Sequence, residues 1–415
     1  MCVTLSQMRP MKTEEELSPV RANIFRIVND AADEVGKLSR DIHALAETSF
    51  QEVKSAALLA DFLEGNGMAV TRNLGGLPTA FVATTGTGRL TVGVFLEYDA
   101  LPEVGHGCGH NLIAGAGVAA ALGLLPLLDE LDLTIKVFGT PAEEHGGGKV
   151  LLLDSGEFDD LAFAMMIHPF PEGMSYNPVG TSSQVVGRFR ATYTGTASHA
   201  AAAPHLGVNA ADATVVAQVA VGLLRQQLPD NHRVALYVAE GGSVTNIIPE
   251  RAVVNFEARA FTRSEFDVLQ DKVARCFEAG ALATGATLAI EPIGPVYDAL
   301  VQDELLCGHW SEAMLVFGHD VSRTAGLTGG STDMGNVSQV IPTIHPWVGI
   351  PGVTSPVHTY EFAAGANTAA AYNTMIQAGI GMAWTIASVA ASPESHQLYT
   401  AALARRAQKL EGTPA

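Results

Sequence analysis

Hydrophobic residues recur along the chain with two different periods, which predict alternating helices and strands. Apolar positions at helical spacing predict amphipathic helices over residues 22–47 and 53–66. Short apolar, β-rich runs predict strands over residues 89–96, 133–138 and 161–167, with helical stretches between them. This alternation is typical of a mixed or parallel sheet covered by helices, so we predict an α/β domain.

The pattern changes from about Gln184 onward. The predicted order there is strand, helix, strand, strand, helix, strand, over residues 185–193, 210–226, 234–239, 252–260, 263–283 and 287–291. A β-α-β-β-α-β unit of roughly a hundred residues folds as a compact ferredoxin-like sandwich. We therefore predict an inserted domain over residues 183–295, and one discontinuous domain formed by residues 17–182 and 296–405.

The last part of the chain returns to helical and apolar segments. Helices are predicted over residues 303–317 and 369–391, with a Gly- and Thr-rich loop at 324–333 and an apolar run to Ile350 between them. The longest apolar run, residues 112–128, is shorter than the roughly 20 residues of a membrane span and is interrupted by glycines and a proline. We predict a buried helix there, and no membrane partner.

Composition and charge narrow the class of protein. The 415 residues are 47% apolar and 16% charged, a globular balance with ample material for two cores. The formal net charge of −19 argues against a nucleic-acid partner, because binding a phosphate backbone needs clustered Lys and Arg. Residues 1–16 contain no apolar stretch flanked by basic residues, so we expect a cytoplasmic protein without a secretory signal.

Chemically reactive side chains follow three of the predicted strands. Only four cysteines are present and their spacing is irregular, which does not fit a disulfide framework, but Cys108 lies in a Gly-His-Gly-Cys-Gly-His turn. Glu143 and Glu144 lie between Thr-Pro-Ala and a run of glycines, and His168 follows the third apolar run. Open α/β sheets present their functional loops at strand ends, so we expect these side chains to meet.

A thiolate, imidazoles and carboxylates together suit a borderline-soft divalent ion such as zinc, and they tolerate manganese or cobalt. Taken alone, Cys108 and His110 fit a Gly-rich turn with a buried structural histidine equally well; two further strand ends with matching chemistry favour a metal site. Adjacent carboxylates at a strand end point to different sides. One member of the pair Glu143 and Glu144 can therefore bind metal while the other faces a substrate, although adjacent glutamates are also common on surfaces.

These motifs, in this order, resemble the amidohydrolase branch of the M20 metallopeptidase family, which includes aminoacylases, auxin-conjugate hydrolases and aminobenzoyl-glutamate hydrolases. The resemblance covers nearly the whole chain and is carried by the Asp-Ala-Leu-Pro run at 99–102, the Cys-Gly-His turn at 108–110, the Pro-Ala-Glu-Glu segment at 141–144 and His168 before a proline. It implies a catalytic domain with a mixed sheet flanked by helices, plus an inserted ferredoxin-like lid or dimerisation domain.

By this resemblance, two divalent metal ions, zinc or manganese, are bound in each subunit. The expected metal ligands are Cys108, His110, Glu144, His168 and His358. Glu143 resembles the general base of the family, which steers a metal-activated water onto an amide. Asp99 resembles the carboxylate that orients a metal ligand.

The inserted domain also carries positions that resemble functional ones. His199, in Gly-Thr-Ala-Ser-His-Ala-Ala, resembles the histidine that reaches across a dimer interface to hold the developing oxyanion. Without the family it would be interpreted as an ordinary histidine at a strand edge. The resemblance also implies a homodimer or higher homo-oligomer formed through the lid domain. The predicted substrate-binding residues are Asn246, Arg259, Gly330 and Ser331.

Some positions depart from the usual pattern of the branch. Asn111 follows the Cys-Gly-His turn where many members have Asp, which points toward the aminobenzoyl-glutamate and dipeptidase-like subgroup. His106, His145, His205 and His345 are extra histidines near the motifs, and we interpret them as supporting or structural residues. His106 could replace a ligand if the site held a single metal ion.

The sequence therefore predicts a metal-dependent hydrolase that cleaves a C–N bond in a small carboxylate-bearing substrate, either an N-acyl or aminobenzoyl amino acid or a dipeptide. Two alternatives stay open. The same activated water could deaminate an aminobenzoate and release ammonia. In a different class of function, a non-catalytic member would bind peptides or regulate a partner, although the intact Glu143, Cys108 and His358 argue against this.

Overall fold

The structure, a computed structural model, describes residues 17–323 and 330–411. Cys2 and the first part of the predicted Gly- and Thr-rich loop lie outside these residues. The chain divides into two compact units, which are described separately. Within the described residues, unit 1 comprises 17–182, 301–323 and 336–411, and unit 2 comprises 183–300 and 330–335.

The helices and strands follow one another in chain order. Unit 1 begins with α1 (Pro19–Asp30), α2 (Ala32–Leu45), α3 (Val53–Gly65), β1 (Ala69–Arg72), β2 (Phe81–Gly86), β3 (Leu90–Leu96), α4 (His110–Leu124), β4 (Leu133–Gly139), α5 (Gly148–Asp154), β5 (Phe163–Met165) and β6 (His168–Pro171). Unit 2 contains β7 (Val185–Thr194), α6 (Ala210–Arg225), β8 (Arg233–Glu240), β9 (Arg251–Ala260), α7 (Arg263–Thr284) and β10 (Thr287–Pro292). The chain ends with α8 (Glu304–Val316), α9 (Met334–Ser338), β11 (Thr343–Ile344), β12 (Trp347–Ile350), α10 (Tyr360–Gly365), α11 (Ala369–Ala391) and α12 (Pro393–Glu411).

The main sheet of unit 1 is mixed, with strands in the order β1-β2-β4-β3-β5-β11. The neighbours from β4 to β11 are parallel, whereas β2 pairs antiparallel with both β4 and β1. Leu96, the last residue of β3, is paired with Gly139, the last residue of β4. The loops that begin after these two strands therefore start side by side. The predicted mixed sheet flanked by helices is confirmed.

Two apolar helices form much of the core of unit 1. All residues of α4 are buried, and α11 packs closely against it: a Cβ at Gly379 would lie only 2.6 Å from the Cβ of Ala119. The segments His110–Leu127 and Ala369–Ala391 are long and apolar enough to cross a membrane, but 89% and 83% of their windows are buried inside the structure. Burial to this extent is typical of helices in a protein core.

The first predicted helix is wrong in one respect. The pattern predicts a continuous helix over residues 22–47, whereas the structure has two helices, α1 and α2, separated at Ala31. Asn29 and Asp30 precede the break, and their short polar side chains favour turns and caps over helix interiors.

The strand predicted over residues 161–167 is also shorter than expected. β5 ends at Met165, and His168 begins the separate strand β6, which pairs in parallel with β12. His168 therefore opens a strand instead of following one. Its partner in the register is Trp347.

Unit 2 has the predicted ferredoxin-like topology. Its strand order is β10-β7-β9-β8, and every neighbouring pair is antiparallel. Phe256 of β9 stacks against Phe189 of β7 and Phe277 of α7, with ring centroids 5.2 and 4.5 Å apart, so the core lies between sheet and helix. Thr262 and Glu265 form a capping box that starts α7.

Unit 2 extends beyond the inserted segment expected from the sequence, which ends at residue 295. The backbones of Tyr297 and Val186 exchange two hydrogen bonds of 3.0 Å, which add residue 297 to the edge of β7. The hydroxyl of Ser331 donates to the carbonyl of Gln184 at 2.7 Å. These backbone and side-chain contacts place residues 296–300 and 330–335 in unit 2.

Candidate metal centre

His110, the first residue of α4, is held on one side of its ring by Asp99. Its Nδ1 lies 2.8 Å from the carbonyl oxygen of Asp99 and 3.0 Å from Oδ1 of the same residue. In the neutral ring Nδ1 therefore carries the proton and donates it, which leaves the lone pair of Nε2 for a metal. Nε2 is buried and has no hydrogen-bond partner among the residues that the structure describes.

Asp99 connects its own loop to two others through hydrogen bonds. Its Oδ2 accepts hydrogen bonds from the hydroxyl of Ser49 at 2.9 Å and from the backbone N–H of Glu144 at 3.1 Å. Burial alone would raise the pKa of this carboxyl, but the charge of His110 and the hydrogen bonds lower the pKa to about 2. Asp99 therefore stays ionised and orients both His110 and the Glu144 backbone.

The structure brings the five predicted metal ligands together. Ligand atoms of Cys108, His110 and His168 lie within 4.8 Å of one another, and those of Cys108, Glu144 and His358 form a second group of the same kind. Cys108 belongs to both groups. Two groups that share one donor are the arrangement expected for two neighbouring ions.

His168 is in the protonation state that a metal needs, whereas Cys108 is not. His168 Nδ1 donates to the carbonyl of Pro169 at 2.8 Å, which leaves its Nε2 as the ligand atom. Burial, and then the charge of His110, lower the pKa of His168 to about 3, so the ring is neutral near pH 7. Burial raises the pKa of the Cys108 thiol well above its usual range, so a bound cation is needed to stabilise the thiolate.

Unsatisfied buried atoms also fit a metal. Glu144 Oε1, like Nε2 of His110, is buried without a hydrogen-bond partner in the described part of the chain. Burying a polar atom without a partner lowers the stability of the fold, unless another group binds that atom. Oε2 of Glu144 lies 3.8 Å from Nε2 of His358, whose side chain is 57% exposed. The residues present therefore fit a divalent ion.

Glu143 lies beside these donors on the loop after β4. Its side chain is buried, and its Oε2 is 4.0 Å from Nε2 of His110. Ala142, directly before it, has a φ of 61°, a conformation that costs a non-glycine residue roughly 1–3 kcal/mol and is common at functional sites. The N–H of Ala142 donates to Oε1 of Glu52 at 2.9 Å, which helps to hold the loop in this conformation.

Glu52 makes this loop sensitive to pH. Its side chain is fully buried, and burial followed by the negative charge of Asp99 raises its pKa from 4.5 to about 7. Between these two pH values the folded protein holds a proton that the unfolded chain has released. The free energy of unfolding therefore falls as the pH rises through this window, by about 3 kcal/mol in total from this group.

We predict that Glu52→Gln removes this pH dependence. Relative to wild type, the free energy of unfolding of the variant should increase by about 2–3 kcal/mol as the pH rises from about 5 to about 8. Urea unfolding at several pH values measures it. Glu64→Gln, at an exposed position of α3, is the control for loss of a carboxylate. The prediction would be refuted if the stability of Glu52→Gln relative to wild type changed with pH no more than that of Glu64→Gln.

Glu97 and Lys149 are buried charged residues near the donors that the sequence did not single out. Glu97 follows β3 directly and forms a third group of possible metal-binding atoms with His110 and Glu143. Lys149 lies in α5, and both side chains are fully buried. An acid directly after a mostly apolar strand, and one lysine before a run of apolar residues, were the available signals.

The extra histidines occupy different surroundings. His106 is buried and its Nε2 lies 3.1 Å from the carbonyl of Ile42. His345 is buried with its ring centroid 5.7 Å from that of His168. His145 and His205 are exposed. His106 and His345 are thus placed to support neighbouring elements.

His199 and Asn246 lie on adjacent segments of unit 2. His199 forms an isolated antiparallel bridge with Ile247, and the N–H of Ala200 donates to the carbonyl of Asn246 at 3.0 Å. Both side chains are exposed. Nδ1 of His199 accepts hydrogen bonds from two backbone N–H groups, at 3.2 and 3.1 Å, so the proton of the neutral ring sits on Nε2.

Arg259, Gly330 and Ser331 form a second predicted cluster in unit 2. Nη1 of Arg259 donates to the hydroxyl of Ser331 at 3.1 Å, and its Nε donates to Glu257 at 2.8 Å. The carbonyl of Gly330 accepts from the N–H of Gln184 at 2.7 Å. The structure therefore joins these three residues, at the start of β7 and the end of β9.

Sulfur, imidazole and carboxylate donors at the strand ends of an α/β unit, with a further carboxylate beside them, define a metal-dependent hydrolase. Comparison with known proteins gives the family. The family model for a peptidase dimerisation domain matches residues 182–284. An Xaa-Arg dipeptidase of Mus musculus is 38% identical over 395 residues, which cover 91% of this chain and 90% of that protein.

More distant relatives agree. One of the p-aminobenzoyl-glutamate hydrolase subunits of Escherichia coli K12 is 28% identical, over 87% of this chain and 91% of its own length. The crystal structure of the Bacillus subtilis YXEP protein, a dinuclear metal-binding peptidase of the M20 family, has the same fold, with a TM-score of 0.60, 22% identity, and coverage of 84% of this chain and 98% of that one. The chain belongs to the M20 family of metallopeptidases. It is a metal-dependent hydrolase of amide bonds, as the sequence predicts.

Proposed function

We propose that this protein hydrolyses the amide bond of a dipeptide, using two divalent ions, zinc or manganese, in each protomer. The observation that carries the proposal is the pair of donor groups that share Cys108, with Glu143 beside them. Two comparisons support it: the relative with 38% identity is an Xaa-Arg dipeptidase, and the YXEP protein is described as dinuclear. The p-aminobenzoyl-glutamate relative makes an aminobenzoyl amino acid the second candidate substrate.

The chain supplies the ligands and a base. Cys108, His110, Glu144, His168 and His358 would hold the ions. When bound, the ions supply Lewis acidity that activates water and polarises the scissile carbonyl. Glu143 accepts a proton from the attacking water and delivers it to the leaving amine. Asp99 keeps His110 and the Glu144 backbone in place while this happens.

His199 is proposed to stabilise the oxyanion. Two backbone N–H groups occupy its Nδ1, which fixes the neutral tautomer with the proton on Nε2. With the proton already on Nε2, the ring can donate a hydrogen bond to the oxyanion without first changing its tautomer. The exposure of this side chain agrees with the family resemblance, which implies that the histidine acts across a dimer interface. Asn246, on the adjacent segment, is proposed to contact the same substrate.

Arg259 is proposed to bind the substrate carboxylate, assisted by Ser331 and the backbone at Gly330. We predict that Arg259→Ala raises KM about 10–100-fold with a smaller change in kcat, because one charge-assisted contact is lost. Steady-state kinetics with a dipeptide and with the same dipeptide amidated at its carboxyl end measure it. Arg190→Ala, an exposed arginine of the same sheet, is the control. An equal penalty on both substrates would contradict the assignment.

The substrate class is tested with metal-loaded protein and a panel of amides. Dipeptides with a basic carboxyl-terminal residue, p-aminobenzoyl-glutamate and N-acetyl amino acids are compared by kcat/KM, with amino acid release and ammonia release followed separately. We expect the dipeptides to give the highest kcat/KM, with amino acids and no ammonia as products. Ammonia release without amino acid release would contradict the proposal and favour deamination.

We further propose that unit 2 joins two copies into a homodimer. Val215, Val219 and Leu223 are spaced by four along α6 and are 57%, 58% and 68% exposed. They form an apolar stripe on one face of the helix, a typical feature of a contact surface. β8 is an edge strand of the sheet, with Tyr237 exposed on it. The match to a peptidase dimerisation domain supports this role for the same residues.

A further inference from the structure

A buried ion pair next to the metal ligands has no part in the function proposed above. Nζ of Lys149 lies 2.5 Å from Oε1 of Glu97, and both side chains are 0% exposed. Taking two charges out of water is costly, and apolar residues at such positions often give equal or greater stability. This cost favours a role for the pair in addition to its contribution to folding.

Lys149 is placed at this position by the loop that carries Glu143. α5 begins at Gly148, where a Cβ would lie 2.0 Å from the carbonyl oxygen of Pro141. Only glycine permits this approach of helix and loop. Lys149, the next residue, is thereby held within the protein, where its Nζ reaches the acid that follows β3.

The second oxygen of Glu97 faces the metal ligands. Oε2 is buried without a hydrogen-bond partner among the described residues, and it lies 3.4 Å from Nε2 of His110. Nε2 of His110 is also unsatisfied there, because Asp99 engages the other ring nitrogen. Two unsatisfied buried atoms that face each other are expected where a third group binds both.

The separation of these atoms fits two ligands of one ion. Nitrogen and oxygen donors at the usual distances from zinc, with a tetrahedral angle between them, lie about 3.3–3.4 Å apart. The distance between Oε2 of Glu97 and Nε2 of His110 is 3.4 Å. A direct hydrogen bond explains the contact less well, since ordinary N–H···O bonds are roughly 2.7–3.2 Å long.

We propose that Glu97 is a sixth metal donor, bound through Oε2 to the same ion as His110, and that Lys149 is a positioning residue that holds its other oxygen. The inference rests on the proposed function, because it requires the metal centre. Possible ligand atoms of Glu97 and His110 lie within 4.8 Å of each other and of a carboxylate oxygen of Glu143, which remains the base in this assignment. By occupying Oε1, Lys149 restricts Glu97 to one coordinating oxygen and fixes its direction.

The test compares Glu97→Gln with Lys149→Met in metal binding. Affinities for Zn²⁺ are measured by competition with a chromophoric chelator, and the ligand field by the visible spectrum of the Co²⁺-substituted protein. We expect Glu97→Gln to weaken one of the two ions at least about tenfold and to change the Co²⁺ spectrum. Lys149→Met should bind that ion as tightly as wild type or more tightly, because a positive charge is removed, and it should change the Co²⁺ spectrum, because the released Oε1 is then free to coordinate as well.

A purely structural pair gives a different result. Both single variants would then lower the melting temperature of the metal-free protein and leave the affinity for both ions and the Co²⁺ spectrum at wild-type values, which would overturn the proposal. The double variant Glu97→Gln with Lys149→Met leaves neither charge buried alone, so it keeps the comparison possible if a single variant fails to fold. It should show the same loss of affinity as Glu97→Gln, and wild-type affinity in it would also overturn the proposal. Wild-type protein that binds no ion would instead refute the proposed function.

Discussion

Glu143→Gln is expected to lower kcat by about 10²–10⁴-fold and to leave the metal content of the protein unchanged. Glutamine has nearly the same shape, but its amide cannot accept a proton from water or deliver one to the leaving amine. Steady-state kinetics and elemental analysis of the same preparation measure both effects. The expectation follows from the position of Glu143, whose Oε2 lies 4.0 Å from Nε2 of His110 on a loop held by Glu52.

The matched control for this variant is Glu130→Gln, which removes an exposed carboxylate of the same unit. It should keep wild-type turnover. Glu143→Gln with turnover close to that of Glu130→Gln would show that another group is the base. A fall in metal content equal to the fall in turnover would assign Glu143 to metal binding instead.

Cys108→Ala is expected to abolish the binding of both ions and to reduce activity at least about 10³-fold. The sulfur is the one donor that the two groups of predicted ligands share, so its removal weakens both at once. Metal content after loading and dialysis, together with kcat/KM, measures the effect.

Cys307→Ala is the control for the loss of a buried thiol. Cys307 is fully buried in α8 and belongs to none of the groups of possible metal-binding atoms found among the described residues. The variant is expected to unfold at a lower temperature, because a small cavity is left, and to keep two ions and full activity. Cys108→Ala with metal content equal to that of Cys307→Ala would contradict the shared-donor assignment.

The sequence predicts the position of most donors because they follow buried parallel strands. β3 and β4 end side by side, so the turn containing Cys108 and the loop containing Glu144 are brought together by sheet topology alone. His168 was expected after a strand and lies at the start of one, yet its place in the chain still brings it to the same group. His358 is distant in sequence, and only the family resemblance pointed to it.

The sequence does not predict the contacts that depend on two distant side chains meeting in the core. Glu97 lies two residues before the Asp-Ala-Leu-Pro run, and Lys149 resembles any lysine on a helix until the burial of both side chains is known. Glu52 shows the same limit: its hydrogen bond to the N–H of Ala142 joins residues 90 positions apart. Periodicity describes which face of an element is apolar, and it carries no information on which charged groups pair beneath that face.

The small strands β1 and β2 were also not predicted. Their residues include glycine, threonine and exposed positions, so the alternation is weak. The pairing of β2 with β4, and of β1 with β2, is set by tertiary contacts. The opposite holds for unit 2, where six elements in a fixed order are each long enough to show their period. Its topology can therefore be predicted from the sequence.

The metal content of the purified wild-type protein tests the central claim most directly. Five side chains from four separate segments of the chain are proposed to bind a pair of ions, so elemental analysis after loading with zinc or manganese and dialysis should find about two ions per protomer. Protein that is folded and retains no ion after the same treatment would contradict the account.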